Sequence, residues 1–300
     1  AALEQACQVL AAIPAQRLVL VDGLALGGMP HLIERHAQRL QLVGLVHHPL
    51  ALETGLYAAT AAALQRAEHR ALAAVRGVIV TSRATARALA GYAVPAERIA
   101  VVEPGTDRAP AARGSGGGPP ELLCVATVTP RKGHAVLIEA LGGLRQHDWR
   151  LTCVGSLQRC PATVAALRRQ ISALRLDASV RLLGEVDAAT LARCYQRADL
   201  FVLPSYHEGY GMALAEAVAH ALPVVSTQAG AIAETLPAGA GVLVPPGDSG
   251  ALAAALDRLL EEPELRQRLA QVAAGARAAL PDWAQAGRRF AAEIQRLVPV

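Results

Sequence analysis

The densest run of chemistry-capable side chains lies at 204–217, reading Pro-Ser-Tyr-His-Glu-Gly-Tyr-Gly-Met-Ala-Leu-Ala-Glu-Ala. Glu208 and Glu216 bracket a predicted helix start, with Gly209, Tyr210 and Gly211 between them. The two glycines remove side chains where backbone N–H groups must approach a ligand, and the N–H groups at a helix start favour an anion. Eight helical residues rise about 12 Å, the scale of a sugar diphosphate. A carboxylate accepts paired hydrogen bonds from vicinal hydroxyls, so one Glu suits a sugar and the other a ribose. The plainer alternative makes Glu208 a dipole partner of the helix and Glu216 a surface residue. The apolar neighbours Leu214, Ala215, Ala217 and Val218 argue against that for Glu216, because an unpaired buried carboxylate is costly.

A second cluster is Ala126-Thr127-Val128-Thr129-Pro130-Arg131-Lys132-Gly133-His134. Arg131 and Lys132 beside a glycine, between a predicted strand and a predicted helix, suit a diphosphate; a solvated basic turn is the competing reading. Lys132 is the one lysine in a chain whose other basic residues are arginines and histidines. The third cluster is Val46-His47-His48-Pro49 at a strand end. Successive strand residues point to opposite faces, so one histidine is expected to reach a ligand, His47 first and His48 in reserve, and a two-histidine metal clip within the strand is disfavoured.

These clusters need rigid elements behind them. Short Val/Leu runs alternate with longer segments of helical period, the pattern of βα units around parallel sheets. Strands are predicted at 18–21, 42–46, 78–81 and 99–102, with helices at 3–12, 31–40, 60–75 and 84–90. After a Gly/Pro-rich stretch at 113–120, strands are predicted at 122–126, 151–154, 180–183, 200–203, 224–226 and 242–244, followed by amphipathic segments at 250–260, 263–280 and 283–297. All three clusters then fall at carboxyl ends of strands, where open α/β sheets bind ligands. The expected organisation is a first domain over 1–110, a linker over 111–120, a second domain over 121–282, and a C-terminal helix over 283–300 that is free to cross between them. The first domain, with four strands against six, is expected to be incomplete, lacking an opening β-α-β, and the absence of an initiator Met reads as a cut edge.

Three hundred residues suffice for two cores. The 53% of hydrophobic residues lie in short segments and leave no run of about 20 for a bilayer span. A net charge of +4 favours anionic partners. Aromatics at 3% disfavour the stacking platforms of single-strand nucleic-acid binders, so no nucleic-acid partner is expected. Cys7, Cys124, Cys153, Cys160 and Cys194 are scattered, with no nearby histidine at metal-ligand spacing. They read as free thiols of a cytoplasmic protein, with no metal and no cofactor expected. The basic balance permits peripheral docking at the inner face of a membrane.

Taken together, Glu208-x7-Glu216, the Pro130-Arg131-Lys132-Gly133 loop and the His47 strand end resemble the retaining glycosyltransferases of family GT4. The likeness runs over nearly the whole chain, through Gly105-Thr106-Asp107, Gly155-Ser156 and Asp282-Trp283. It implies an α/β chain of GT-B fold: two Rossmann-like doubly wound domains facing a cleft, the first incomplete. It implies a hexosyl transfer from a nucleotide-diphosphate-sugar to an acceptor, glycan or lipid-linked, whose identity the sequence leaves open. His47, Glu208, Arg131 and Lys132 would form the catalytic set. Lys132 and Arg131 would hold the diphosphate, Glu216 the ribose, and Glu208 with Gly209, Tyr210 and Gly211 the sugar. Gly155 and His48 would also line the donor, with Gly184, Glu185 and Val186 near the base. The chain departs from the family in carrying Ala126-Thr127 where many members have Gly-Arg, with Arg131 standing in, and in lacking the opening strand and its Gly-rich loop. Two rival readings are an inactive nucleotide-sugar-binding relative and an NAD-dependent dehydrogenase. The second is disfavoured because no Gly-x-Gly-x-x-Gly follows a strand; 23–28 does not fit.

Overall fold

The structure is a computed structural model that describes residues 2–144 and 146–298. The chain divides into two compact units, the first made of residues up to Gly105 together with those from Trp283 onward, the second of Thr106–Asp282.

In the first unit, helix α1 (Ala2–Ala12) leads to β1 (Leu18–Asp22), α2 (Gly23–Gly28), α3 (Pro30–His36), β2 (Gln41–Val46), α4 (Ala58–Ala74), β3 (Gly77–Val80), α5 (Arg83–Ala88) and β4 (Ile99–Val101). The four strands are parallel and lie side by side in chain order. The pleat sends alternate residues to opposite faces, which gives two cores. Leu42, Val46, Val78 and Val80 pack on one side, and Val43, Ile79, Ala100 and Val102 on the other. The C-terminal helix, Trp283–Leu297, covers that second side with Phe290, Ile294 and Leu297. Arg296 ties it down by donating to the carbonyls of Glu97 (2.8 Å) and Ile99 (3.3 Å). That helix therefore belongs to the first unit.

The second unit holds β5 (Glu121–Val125), α6 (His134–Gly142), β6 (Arg150–Val154), α7 (Pro161–Ala173), β7 (Val180–Gly184), α8 (Ala188–Arg197), β8 (Leu200–Leu203), α9 (Met212–Ala219), β9 (Val224–Thr227), α10 (Ile232–Thr235), β10 (Gly241–Val244), α11 (Ser249–Glu261) and α12 (Pro263–Ala276). Its six parallel strands run in the order β10-β9-β8-β5-β6-β7. The chain starts in the middle at β5, proceeds outward to β7, then returns to the other side of β5 with β8. The crevice between the carboxyl ends of β5 and β8 is the switch point at which doubly wound sheets bind ligands. Thus two loops far apart in sequence, 126–133 after β5 and 204–211 after β8, leave the sheet side by side.

The domain boundary differs from the sequence reading. It falls after Gly105, and the 111–120 segment is part of the second unit, not a free linker. Ala112 N–H donates to His220 O, Arg113 and Gly114 N–H to Gln196 O, and Glu121 N–H to the Asp199 carboxylate at 2.8 Å. Gly114, at φ +73°, passes the Asp199 carboxylate with no room for a side chain, and the backbone donors find partners on α8, at the end of α9 and at the entry to β8.

In the first unit, buried Glu68 on α4 fixes the chain that follows His47 and His48. Its carboxylate accepts from Leu50 N–H (2.6 Å), Ala51 N–H (3.2 Å) and Tyr92 Oη–H (3.1 Å). Burial and the Glu68 charge hold the Tyr92 hydroxyl well above its ordinary pKa, so it remains a donor. Glu68→Ala leaves these donors unpaired and is expected to cost about 2 kcal/mol, read as a fall in the urea midpoint of the purified chain, whereas Glu68→Gln retains part of the network and loses less.

Candidate functional site

The switch point of the second unit is built around one carboxylate. Glu208 is buried, and Lys132 Nζ lies 2.6 Å from its Oε1. Ser205 Oγ donates to the same oxygen at 2.6 Å, while Arg131 Nη1 stands 3.7 Å from Oε2 and donates to His207 O at 2.7 Å. Arg131 and Lys132 sit on a single 3-10 turn, Pro130–Lys132, directly before α6. Tyr206 N–H donates to Arg131 O at 2.8 Å, so the two loops are joined by backbone as well as by charge. Gly133 closes the turn at φ +69°, and a Cβ there would stand 2.0 Å from Pro204 O. Only glycine permits both the left-handed conformation and the approach of the β5 loop to the chain leaving β8.

The β9 side completes the cradle. Thr227 Oγ1 donates to Ser205 O at 2.5 Å, and Ala231 N–H donates to Glu208 O at 2.8 Å. Gly230, at φ +59°, passes so close to the Glu208 backbone that a Cβ would meet Glu208 O at 2.2 Å. Ser205, Thr227 and Gly230 were not singled out from the sequence; Ser205 alone lay inside a recognised motif.

Gly211 caps α9, and Glu216 lies on its second turn. Tyr195, on α8, donates its hydroxyl to Glu216 Oε2 at 2.7 Å. The Tyr195 ring is clamped between Phe201, at a centroid separation of 6.0 Å, and His220, at 4.7 Å and nearly parallel. Burial holds the Tyr195 hydroxyl protonated and keeps the His220 imidazole below its usual pKa. One Glu216 oxygen is thus fixed by a buried phenol. Nothing in the local sequence links Tyr195 to Glu216, 21 positions away.

The remaining residues are placed as follows. Gly155 follows β6, Gly184 ends β7, and Glu185 (exposed) and Val186 (partly covered) follow it, so this group lines the carboxyl edge of β6 and β7 in the same unit. Gly209 is partly covered and Tyr210 buried, with Thr235 Oγ1 donating to Tyr210 O. In the first unit, His47 leaves β2 with its side chain 52% exposed, and its Nε2 lies 3.2 Å from Asp22 Oδ2 at the end of β1. His48 is the more enclosed, with Nε2 3.4 Å from Glu53. Asp22, which also caps α2 through Leu24 N–H at 2.9 Å, went unnoticed in the sequence.

A carboxylate, two cations, a helix N-terminus and a second, phenol-held carboxylate at a switch point form a site for an anionic, hydroxyl-bearing ligand. Residues 106–275, more than half of the chain, match the family Glycosyl transferases group 1, and residues 17–109 match Glycosyltransferase Family 4. The chain belongs to the group 1 glycosyl transferases, and its fold class is that of the GT-B enzymes.

Among its relatives is a D-inositol 3-phosphate glycosyltransferase of Pseudarthrobacter chlorophenolicus, 32% identical over 69% of this chain and 53% of that protein. A phosphatidyl-myo-inositol mannosyltransferase of Mycobacterium leprae is 40% identical over 50% of this chain and 38% of its own. The chain thus spans about half the length, or less, of these relatives. Among solved structures, sucrose-phosphate synthase from Thermosynechococcus elongatus superposes with a TM-score of 0.81 at 25% identity, covering 93% of this chain and 73% of that one. Anabaena Alr3699/HepE, solved in complex with UDP and glucose, does so with 0.81 at 22% identity over 97% and 80%, a likeness of fold.

Burial raises the Glu216 carboxyl above its ordinary pKa, the Asp107 carboxylate raises it further, and the Tyr195 hydrogen bond opposes them. The folded state therefore favours the protonated form more than the unfolded state does. The stability this contributes is complete below the unfolded value near 4.5 and is lost as pH rises through the folded value. Glu216→Gln mimics the protonated form, so it is expected to raise Tm at pH 7 to 8, with the gain shrinking to nothing below about pH 4. Thermal unfolding of both proteins across that range checks this; a gain independent of pH contradicts it.

Proposed function

We propose that this chain carries the donor-binding machinery of a retaining glycosyltransferase that moves a sugar from a nucleotide-diphosphate-sugar to a hydroxyl-bearing acceptor, glycan or lipid-linked. The observation that carries the reading is the Lys132–Glu208 pair at the switch point, 2.6 Å apart, at the mouth of α9. Its cation faces the place where an anion would meet a helix N-terminus, and its carboxylate is held ready for sugar hydroxyls. The relatives' names, and the UDP and glucose in the HepE complex, support the same assignment of chemistry.

In this reading the diphosphate lies along Arg131, Lys132 and the N–H groups at Gly211, the ribose on the free oxygen of Glu216, and the sugar against Glu208 and the backbone of 209–211. The base lies towards Gly155 and the Gly184-Glu185-Val186 edge. The acceptor hydroxyl attacks the anomeric carbon from the face the diphosphate leaves, which retains configuration. No residue of this chain is assigned as a covalent nucleophile. Glu208 precedes α9 and pairs with Lys132 and Arg131, whereas Glu216 lies on its second turn and pairs with Tyr195, so the two are not read as the acid and nucleophile of a hydrolase pair. The protein's part is positioning and charge stabilisation on the departing diphosphate, supplied by Arg131, Lys132 and the helix start. His47, with Asp22 orienting its ring, serves the acceptor side of the reaction, and His48 supports it.

A thermal-shift panel of UDP-, GDP- and ADP-sugars identifies the donor; no stabilisation by any of them sinks the proposal. With the nucleotide so identified, Lys132→Ala is expected to weaken nucleoside diphosphate binding 10- to 150-fold, about 1.5 to 3 kcal/mol for a charged hydrogen bond. Calorimetry on folded variant protein checks the value, and unchanged affinity removes Lys132 from the diphosphate site. Glu216→Gln is expected to lower affinity for the nucleoside diphosphate more than for inorganic pyrophosphate; equal losses would rule out the ribose role.

A further inference from the structure

The five cysteines look unrelated in sequence, but the fold brings two of them to a histidine. Cys124 in β5 and Cys153 in β6 are register partners on adjacent parallel strands, so their side chains emerge on the same face. His134, the first residue of α6, places Nε2 3.8 Å from Cys124 Sγ. The two sulfurs and one ring nitrogen lie within 4.8 Å of one another, and all three residues are at least 97% buried.

We propose that Cys124, Cys153 and His134 bind one soft divalent cation of the zinc group beneath the 126–133 loop. Size supports this. Bonds of about 2.3 Å to sulfur and about 2.1 Å to nitrogen, arranged around one ion in a plane, put the donors a little under 4 Å apart, and the Cys124–His134 separation of 3.8 Å already has that value. Charge supports it as well. Two thiolates and a neutral imidazole cancel a divalent charge, so the complex enters the core as a neutral group and avoids the penalty of a buried ion. Ligand chemistry agrees, since thiolate and imidazole select thiophilic ions over magnesium or calcium.

The protein makes little other use of these groups. His134 Nδ1 is buried without a hydrogen-bond partner, so no carboxylate or carbonyl competes for the ring, and a proton on Nδ1 leaves the Nε2 lone pair directed at the sulfurs. The ion would join the end of β5, β6 and the first residue of α6. It would therefore staple both ends of the loop that carries Arg131 and Lys132. The site stands apart from the donor-binding reading and does not depend on it.

The test is an anaerobic titration of the reduced, intact chain with Cd2+, followed by thiolate-to-cadmium charge-transfer absorption in the ultraviolet. The band is expected to saturate at one equivalent, to be displaced by Zn2+, and to persist in a Cys7→Ser/Cys160→Ser/Cys194→Ser variant that keeps the buried pair. Cys124→Ser and Cys153→Ser, with folding confirmed by circular dichroism, are expected to lose it. No saturable band in the wild-type chain, loss of the band in the triple variant, or its survival in Cys124→Ser overturns the proposal. Should the single variants fail to fold, the triple variant decides alone.

Discussion

A carboxylate 6% exposed requires compensating partners, and Glu208 takes the Lys132 ammonium at 2.6 Å. That pair dictates much of the second unit's ligand edge. Lys132 reaches Glu208 only if the β5 loop lies against the exit of β8, which requires Gly133 to pass Pro204 with no side chain. Glu208 stays in place only if β9 supports its backbone, which Ala231 N–H, Gly230 and the Thr227 bond to Ser205 O provide. Removing one partner of a buried pair typically costs about 3 to 5 kcal/mol because the other charge is stranded. The same groups proposed to face the ligand therefore also hold three loops together.

Glu216 shows the opposite balance. It is partly covered, its carboxyl is pushed up by burial and by Asp107, and a single phenol opposes that. The fold tolerates an anion there that it does not need. A group that lowers stability while a stacked, hydrogen-bonded Tyr195 keeps it oriented matches the ribose-binding role proposed for Glu216.

The two units make their cores differently. In the first, the pleat splits β2 and β3 between two apolar faces, and the C-terminal helix supplies Phe290, Ile294 and Leu297 to one of them. In the second, the reversal of strand order around β5 is the feature that creates the site, since without it the loops after β5 and β8 would not be neighbours. Among the described residues no helix is long and apolar enough to cross a membrane.

Much of this was legible in the chain. Every strand fell within a residue or two of its expected place, because short Val/Leu runs between helical periods have few other structures open to them. Arg131, Lys132 and Glu208 could be chosen because charged residues beside glycines at predicted strand ends have a local explanation, and Glu216 because a carboxylate among apolar neighbours needs one. What local pattern does not encode is which loops become neighbours. The Lys132–Glu208 pair spans 76 positions, Tyr195 meets Glu216 across two helices, and Cys124 meets Cys153 and His134 only through strand register. The 111–120 stretch carried the composition of a linker but folds onto the second unit, because its backbone donors find acceptors on α8, α9 and Asp199. Sequence by itself determined the elements and the kind of chemistry at their ends. The order of strands in the sheet decided which of those ends share a site, since side chains pair across space only after the backbone ladder has set their register.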